Sequence, residues 1–150
     1  MTEHPTRATV DAPTPRRAAD LLTRADAELL AAQYSTEPWE RFSHAHLAAL
    51  RAGAALVAFH GRPGGRRPPR SVWGMVELVA PELAGWARHF ADAARLRSAV
   101  EAGRFDAVGV ERAEQSLCDA EDFVDAVRDA VEASDEHAAR APRMLAVRAS

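Results

Sequence analysis

Lysine is absent from this 150-residue chain: all 19 basic residues are arginine. A GC-rich coding bias accounts for that usage as readily as a demand for phosphate binding, so arginine count alone does not mark a nucleic-acid protein. The formal net charge of −3 excludes the wholesale basic coat that non-specific polyanion binders carry. Any contact with nucleic acid must be local. Cysteine occurs once, at Cys118, which excludes an intramolecular disulfide and a cysteine zinc site within one chain and fits a reducing compartment. Long apolar runs are missing as well. The opening MTEHPTRATVDAPTPRR places acid and proline where a signal peptide needs an apolar core. The longest apolar stretch, Ala52 to Phe59, is far short of the ~20 residues of a membrane span. The expectation is a cytoplasmic protein without membrane contact. No internal repeat is visible, and no segment alternates strictly as a half-buried strand does.

What is present is alanine. Hydrophobic residues make up 47% of the chain and charged ones 27%, and the apolar fraction is dominated by small side chains, so the core must form where backbones approach closely. A chain of this length buries roughly 70% of its unfolded surface, enough for one core. Helical spacing recurs throughout, and the expected fold is all-α: an antiparallel bundle of four main helices plus a short or kinked one. Residues 1–14 read as a mobile N-terminal tail, 15–135 as the bundle and 136–150 as a C-terminal tail.

Pro15 suits a first turn, and Leu21, Leu22, Ala25, Leu29 and Ala32 mark a first helix over 15–34. Ser35 or Thr36 can cap a second helix that runs to about His60 and stops at Gly61. At about 100° per residue its buried stripe is Trp39, Phe42, His46, Ala49, Leu50, Gly53 and Val57, opposite Arg41, His44, Ala48, Arg51 and Ala55. GRPGGRRPPR at 61–70 is too rich in proline and glycine for a helix. Ser71 can cap a short helix interrupted near Pro81. A longer helix follows to a glycine stop at Gly103. The last helix, 109–134, has a seam of Val110, Ala113, Leu117, Ala120, Val124, Val127 and Val131, with Cys118 beside it as a small packing residue. Its other face is acidic, and the molecule is electrically lopsided: 11 acids against 5 arginines over 106–150, but 7 against 10 over 1–70.

Metal chemistry finds no support in the spacing. His44 and His46 point about 200° apart on a helix, and His60 lies roughly 21 Å beyond His46. No metal, phosphate-loop or nucleophile-elbow motif occurs, and no cofactor is implied. The acidic face of the last helix reads as solvated surface, or as a docking surface for a basic partner protein. The cluster Arg41-Phe42-Ser43-His44-Ala45-His46 is the one arrangement suited to metal-free RNA cleavage. Histidine can take the proton of a ribose hydroxyl, and guanidinium can stabilise charge on the phosphate. Arg41 and His44 share a face, whereas Arg41 and His46 differ by about 140°. His46 accordingly has two readings, a core histidine or a general base. Arg51, Arg62, Arg66, Arg67 and Arg70 are candidates for gripping a phosphate backbone.

The segments AHLAALRAGAALVA at 45–58, RSVWGMVELVAPELAGWARHFADAARLRSAVEAG at 70–103 and ERAEQSLCDAEDFVDAV at 111–127 resemble an actinobacterial branch of the HEPN superfamily. The resemblance spans about residues 15–132. It implies a helical bundle that dimerises and associates with RNA or nucleotides, either without catalysis or as a metal-independent endoribonuclease. Catalytic members pair an arginine with a histidine after four to six intervening residues, and here Arg41 and His46 carry that spacing. Phe42 stands where a polar residue is usual, and the pair opens the second helix instead of a late one.

Overall fold

Proline has no backbone N–H to lose in a first turn, and two of the main helices begin on one. The computed structural model describes the backbone of residues 12–148 and the side chains of residues 12–140. Helix α1 spans Pro15–Tyr34 and α2 spans Pro38–His60. Helix α3 is the short segment Val72–Val79, followed by a 3-10 turn at Pro81–Leu83 and by α4, Ala84–Glu101. A second 3-10 turn at Phe105–Ala107 leads into α5, Val110–Arg148. Among the described residues there is no strand.

Several boundaries follow directly from local chemistry. The Ser71 hydroxyl accepts the Gly74 amide at 3.1 Å, satisfying one of the free donors at the start of α3. Gly61 and Gly103 end α2 and α4 with φ near 87° and 89°, a left-handed region that favours glycine. The cap of α2 differs from expectation. Neither Ser35 nor Thr36 takes that role; the N-cap is Glu37, with extended backbone before Pro38 and no side-chain cap bond. Ser35 serves α1 instead, donating its hydroxyl to the Ala31 carbonyl at 2.8 Å and its amide to the Ala32 carbonyl at 3.2 Å.

Hydrogen bonds fix how the helices run. Thr14 donates its amide to the Ala58 carbonyl at 2.8 Å, tying the start of α1 to the end of α2 and making the pair antiparallel. Arg128 to Asp26 (2.8 Å) and Gln33 to Glu121 (3.4 Å) place α5 antiparallel to α1. His89 against Asp119 joins α4 to α5. Helix α2 lies at the centre, packed against α1, α3, α4 and α5. By length and mean hydropathy it is the one described helix that could cross a membrane, yet just over half of its apolar window is buried inside the bundle.

That central position corrects the sequence-based stripe. Ala48 and Ala55, assigned to the open side of α2, are fully buried along with Ala45, Ala49 and Ala52. Alanine on every side lets neighbouring helices come close, and Gly53 extends the effect. A Cβ there would lie 3.0 Å from Val72 and 3.1 Å from the Trp73 ring, so α3 crosses α2 where the side chain is missing. Bulk comes from an aromatic cluster: Trp73 stacks on Phe90 at 5.2 Å, Trp86 stacks on Phe90 at 6.0 Å, and Phe123 of α5 touches all three rings.

The seam of α5 is also shifted. Val110 is 60% exposed and Cys118 is exposed, whereas Phe123, outside the expected seam, is fully buried. The helix must meet both α4 and the α1–α2 pair, and Phe123 fills the aromatic space between them. The same helix extends well past residue 134, so residues 136–148 continue α5. The N-terminal tail expected at 1–14 falls, up to residue 11, outside the described residues, as do 149–150.

Candidate functional site

Arg41 sits one turn into α2, where its side chain reaches back over the junction with α1. Its Nε donates to the Ala32 carbonyl at 3.2 Å and its Nη2 to the Ser35 carbonyl at 2.8 Å. Nη1 is 3.7 Å from a Glu114 carboxylate oxygen on α5. The last carbonyls of a helix lack intrahelical donors, and a guanidinium offers five N–H groups in a fixed fork. Arg41 therefore joins the end of α1 to α2 and α5.

His44 points elsewhere. Its Nδ1 lies 2.7 Å from Glu28 Oε2 on α1, a partly exposed pair that links the two helices. His46 is only 3% exposed. Its ring lies 5.8 Å from that of Phe42, 6.5 Å from Trp73 and 6.3 Å from Phe90. Burial first, then the nearby charges of Arg97 and Arg112, together hold its pKa down from 6.5 to about 4. At neutral pH the imidazole is uncharged. Arg41 and His46 thus keep separate sets of neighbours, one at the α1–α2 junction and the other in the aromatic core.

The basic loop is organised differently. Arg62, Arg66, Arg67 and Arg70 are all exposed and line one concavity of about 810 Å3 with Pro63, Pro68, Pro69 and two glycines. Arg51 is half-buried on α2. On the acidic helix, Glu114, Asp119 and Glu121 are engaged by Arg41, His89 and Gln33 from three other helices. Part of that acidic face therefore belongs to the bundle's own interfaces.

One cluster escaped sequence reasoning. His89 on α4 and Arg112 and Ser116 on α5 line a crevice of about 10 Å3 with His46, Phe42, Phe90 and Ala93. His89 Nε2 is 2.9 Å from Asp119 Oδ2, and Gln115 donates to the other carboxylate oxygen at 2.9 Å. An ionised carboxylate only accepts, so Nε2 carries hydrogen and Nδ1 stays available. Residues on three helices, from Phe42 to Ser116, meet here, a separation no single-helix motif reveals.

With that geometry in hand, comparison with known families is decisive. A family model described as SAV_6107-like HEPN matches residues 32–128. The chain belongs to the SAV_6107-like HEPN family. The match covers the last residues of α1, all of α2, α3 and α4, and α5 through Arg128, which includes every residue of the crevice. No curated protein and no solved structure matches the chain. For this HEPN domain the all-α bundle read from the sequence is the observed architecture.

Proposed function

We propose that this HEPN protein is a cytoplasmic, non-catalytic RNA- or nucleotide-associated factor that holds phosphates through its basic loop. The observation that carries the reading is the concavity at 62–70, where four arginines stand around one open hollow on a chain of net negative charge. Local positive charge on such a surface attracts a phosphate backbone without coating the molecule. Arg41 and His46 support the non-catalytic half. The arginine is committed to two backbone carbonyls, and the histidine, packed among Phe42, Trp73 and Phe90, opens only onto a crevice too small to admit a ribose. A general base needs access to the proton that it removes.

A homodimer belongs to the same reading. Leu30 and Tyr34, one turn apart on α1, are 54% and 80% exposed, and together they offer an apolar contact for a second copy. Sedimentation of the purified chain at several concentrations tests this part.

Binding is tested with a short single-stranded RNA at low salt, using the full chain and the triple variant Arg66→Ala, Arg67→Ala, Arg70→Ala. The reading expects binding that weakens with salt and falls about tenfold or more in the variant. Incubation with RNA in EDTA should leave it uncut. Cleavage that disappears on replacing Arg41 or His46 by alanine, in variants shown to be folded, would establish the endoribonuclease instead.

A further inference from the structure

We propose that the crevice between α2, α4 and α5 binds a single phosphate group, with Arg112 and His89 at its mouth and His46 at its floor. It goes beyond the reading given above and stands apart from it, because the crevice and the basic loop share no residue.

His46 supplies the first reason. Its side chain is almost wholly buried and makes no hydrogen bond among the described residues. Yet among those residues no fully enclosed side-chain nitrogen or oxygen lacks a partner. The imidazole must therefore open onto the crevice that it lines, where its polar edge awaits a partner from outside the fold.

The two charges that act on it directly are both positive. Arg112 is exposed and forms no ion pair among the described residues, and Arg97 lies close enough to act electrostatically on His46 while its Nε is 3.0 Å from Glu101. Asp119, the nearest carboxylate that the contacts define, is bonded by both His89 and Gln115. What remains free at the mouth is the Arg112 guanidinium, which donates, and the Nδ1 of His89, which accepts because the ring's hydrogen is on the nitrogen bonded to Asp119. That pairing suits a phosphate, which offers acceptor oxygens to the guanidinium and, as a monoester, a hydroxyl to the histidine.

Size sets the ligand class. About 10 Å3 admits one water-sized atom, so a nucleobase or ribose cannot enter. A tetrahedral phosphate can place one oxygen toward His46 and leave the others to Arg112 and His89 outside. The group can be a terminal phosphate or a backbone diester, and the experiment separates the two.

Ring-nitrogen NMR of the full chain, with 15N-labelled histidines, is titrated with inorganic phosphate. The His46 and His89 signals should shift together and saturate by tens of millimolar, and Arg112→Gln should weaken this about tenfold. Arg112 is exposed and unpaired, so the variant should melt like the parent. Arg66→Ala should leave the titration unchanged. Absence of a saturable shift, or identical shifts in Arg112→Gln, would overturn the proposal. Short RNAs with 5′-phosphate and with 5′-hydroxyl ends follow: a response to the first alone identifies a terminal phosphate, and an equal response to both identifies the backbone. RNA binding that needs the loop arginines but not Arg112, without histidine shifts, sinks the crevice and spares the loop. Histidine shifts with phosphate and no RNA binding at all do the reverse.

Discussion

The Nη2 of Arg41 donates to the Ser35 carbonyl at 2.8 Å, so a side chain from the second helix closes the end of the first. Its Nε does the same for Ala32 at 3.2 Å. Replacing Arg41 with alanine leaves both partly buried carbonyls without these donors. A hydrogen bond from a charged group contributes about 1.5–3 kcal/mol, and partial exposure of Arg41 reduces that, so the expected loss is about 1–2 kcal/mol. Urea denaturation measures it. Lysine carries one cationic nitrogen instead of a fork and should restore less than half. RNA affinity should not change, since the loop arginines are elsewhere.

His46 makes stability depend on pH, and the sign is fixed by its depressed pKa. Its folded-state value is about 4, against an ordinary 6.5 in the unfolded chain. Between those values the unfolded state takes a proton that the folded state refuses. The histidine therefore costs nothing above pH 6.5, and stability falls progressively as the pH drops from 6.5 toward 4. From pH 7.5 to pH 5 the loss from this one group is about 2 kcal/mol. Denaturation of the parent and of His46→Leu at both pH values should show the difference, with the slope reduced by nearly one proton in the variant. Equal slopes would place the ring in an open, hydrated setting.

Gly53 offers a packing test. A valine there would drive methyl groups into Val72 and Trp73, which a bare Cβ already approaches at 3.0 and 3.1 Å. Overpacking of this kind typically costs about 1–3 kcal/mol, and a β-branched side chain in a helix cannot turn far from the contact. Thermal melting should show a clear loss for Gly53→Val. Val72→Ala, which removes the nearest methyl, should recover part of it in the double variant.

The parts of the bundle legible in the sequence are those set by neighbours along the chain. Pro15, Gly61, Ser71 and Gly103 mark ends because each acts within a few residues of itself. Burial was legible only where a helix has one packed side. On α2 the alanines hid a second and third interface, since an alanine reads alike whether it faces solvent or a tightly packed neighbour. Phe123 lies off the regular seam of valine, alanine and leucine, and the ring's place depends on Trp73, Trp86 and Phe90 from other helices. The site followed the same rule. Arg41 bonds to carbonyls, which every residue carries, and His89 meets Asp119 thirty positions away on another helix.

The far end of α5 provides the last test. Contacts with the core thin out after Val131, and residues 135–140 are exposed while the helix continues to Arg148. Helical backbone satisfies its own hydrogen bonds, so this extension can persist without burying an apolar face, though an unsupported helix is marginal in water. A chain ending at Ser134 removes none of the buried cluster among the described residues. Its melting temperature should stay within about 2 °C of the parent, because only burial and packing set the cooperative transition. The far-ultraviolet helical signal should fall in proportion to the residues removed. A large drop in melting temperature would mean that the extension covers apolar surface, on this chain or on a second copy, and concentration-dependent melting of the parent would identify which.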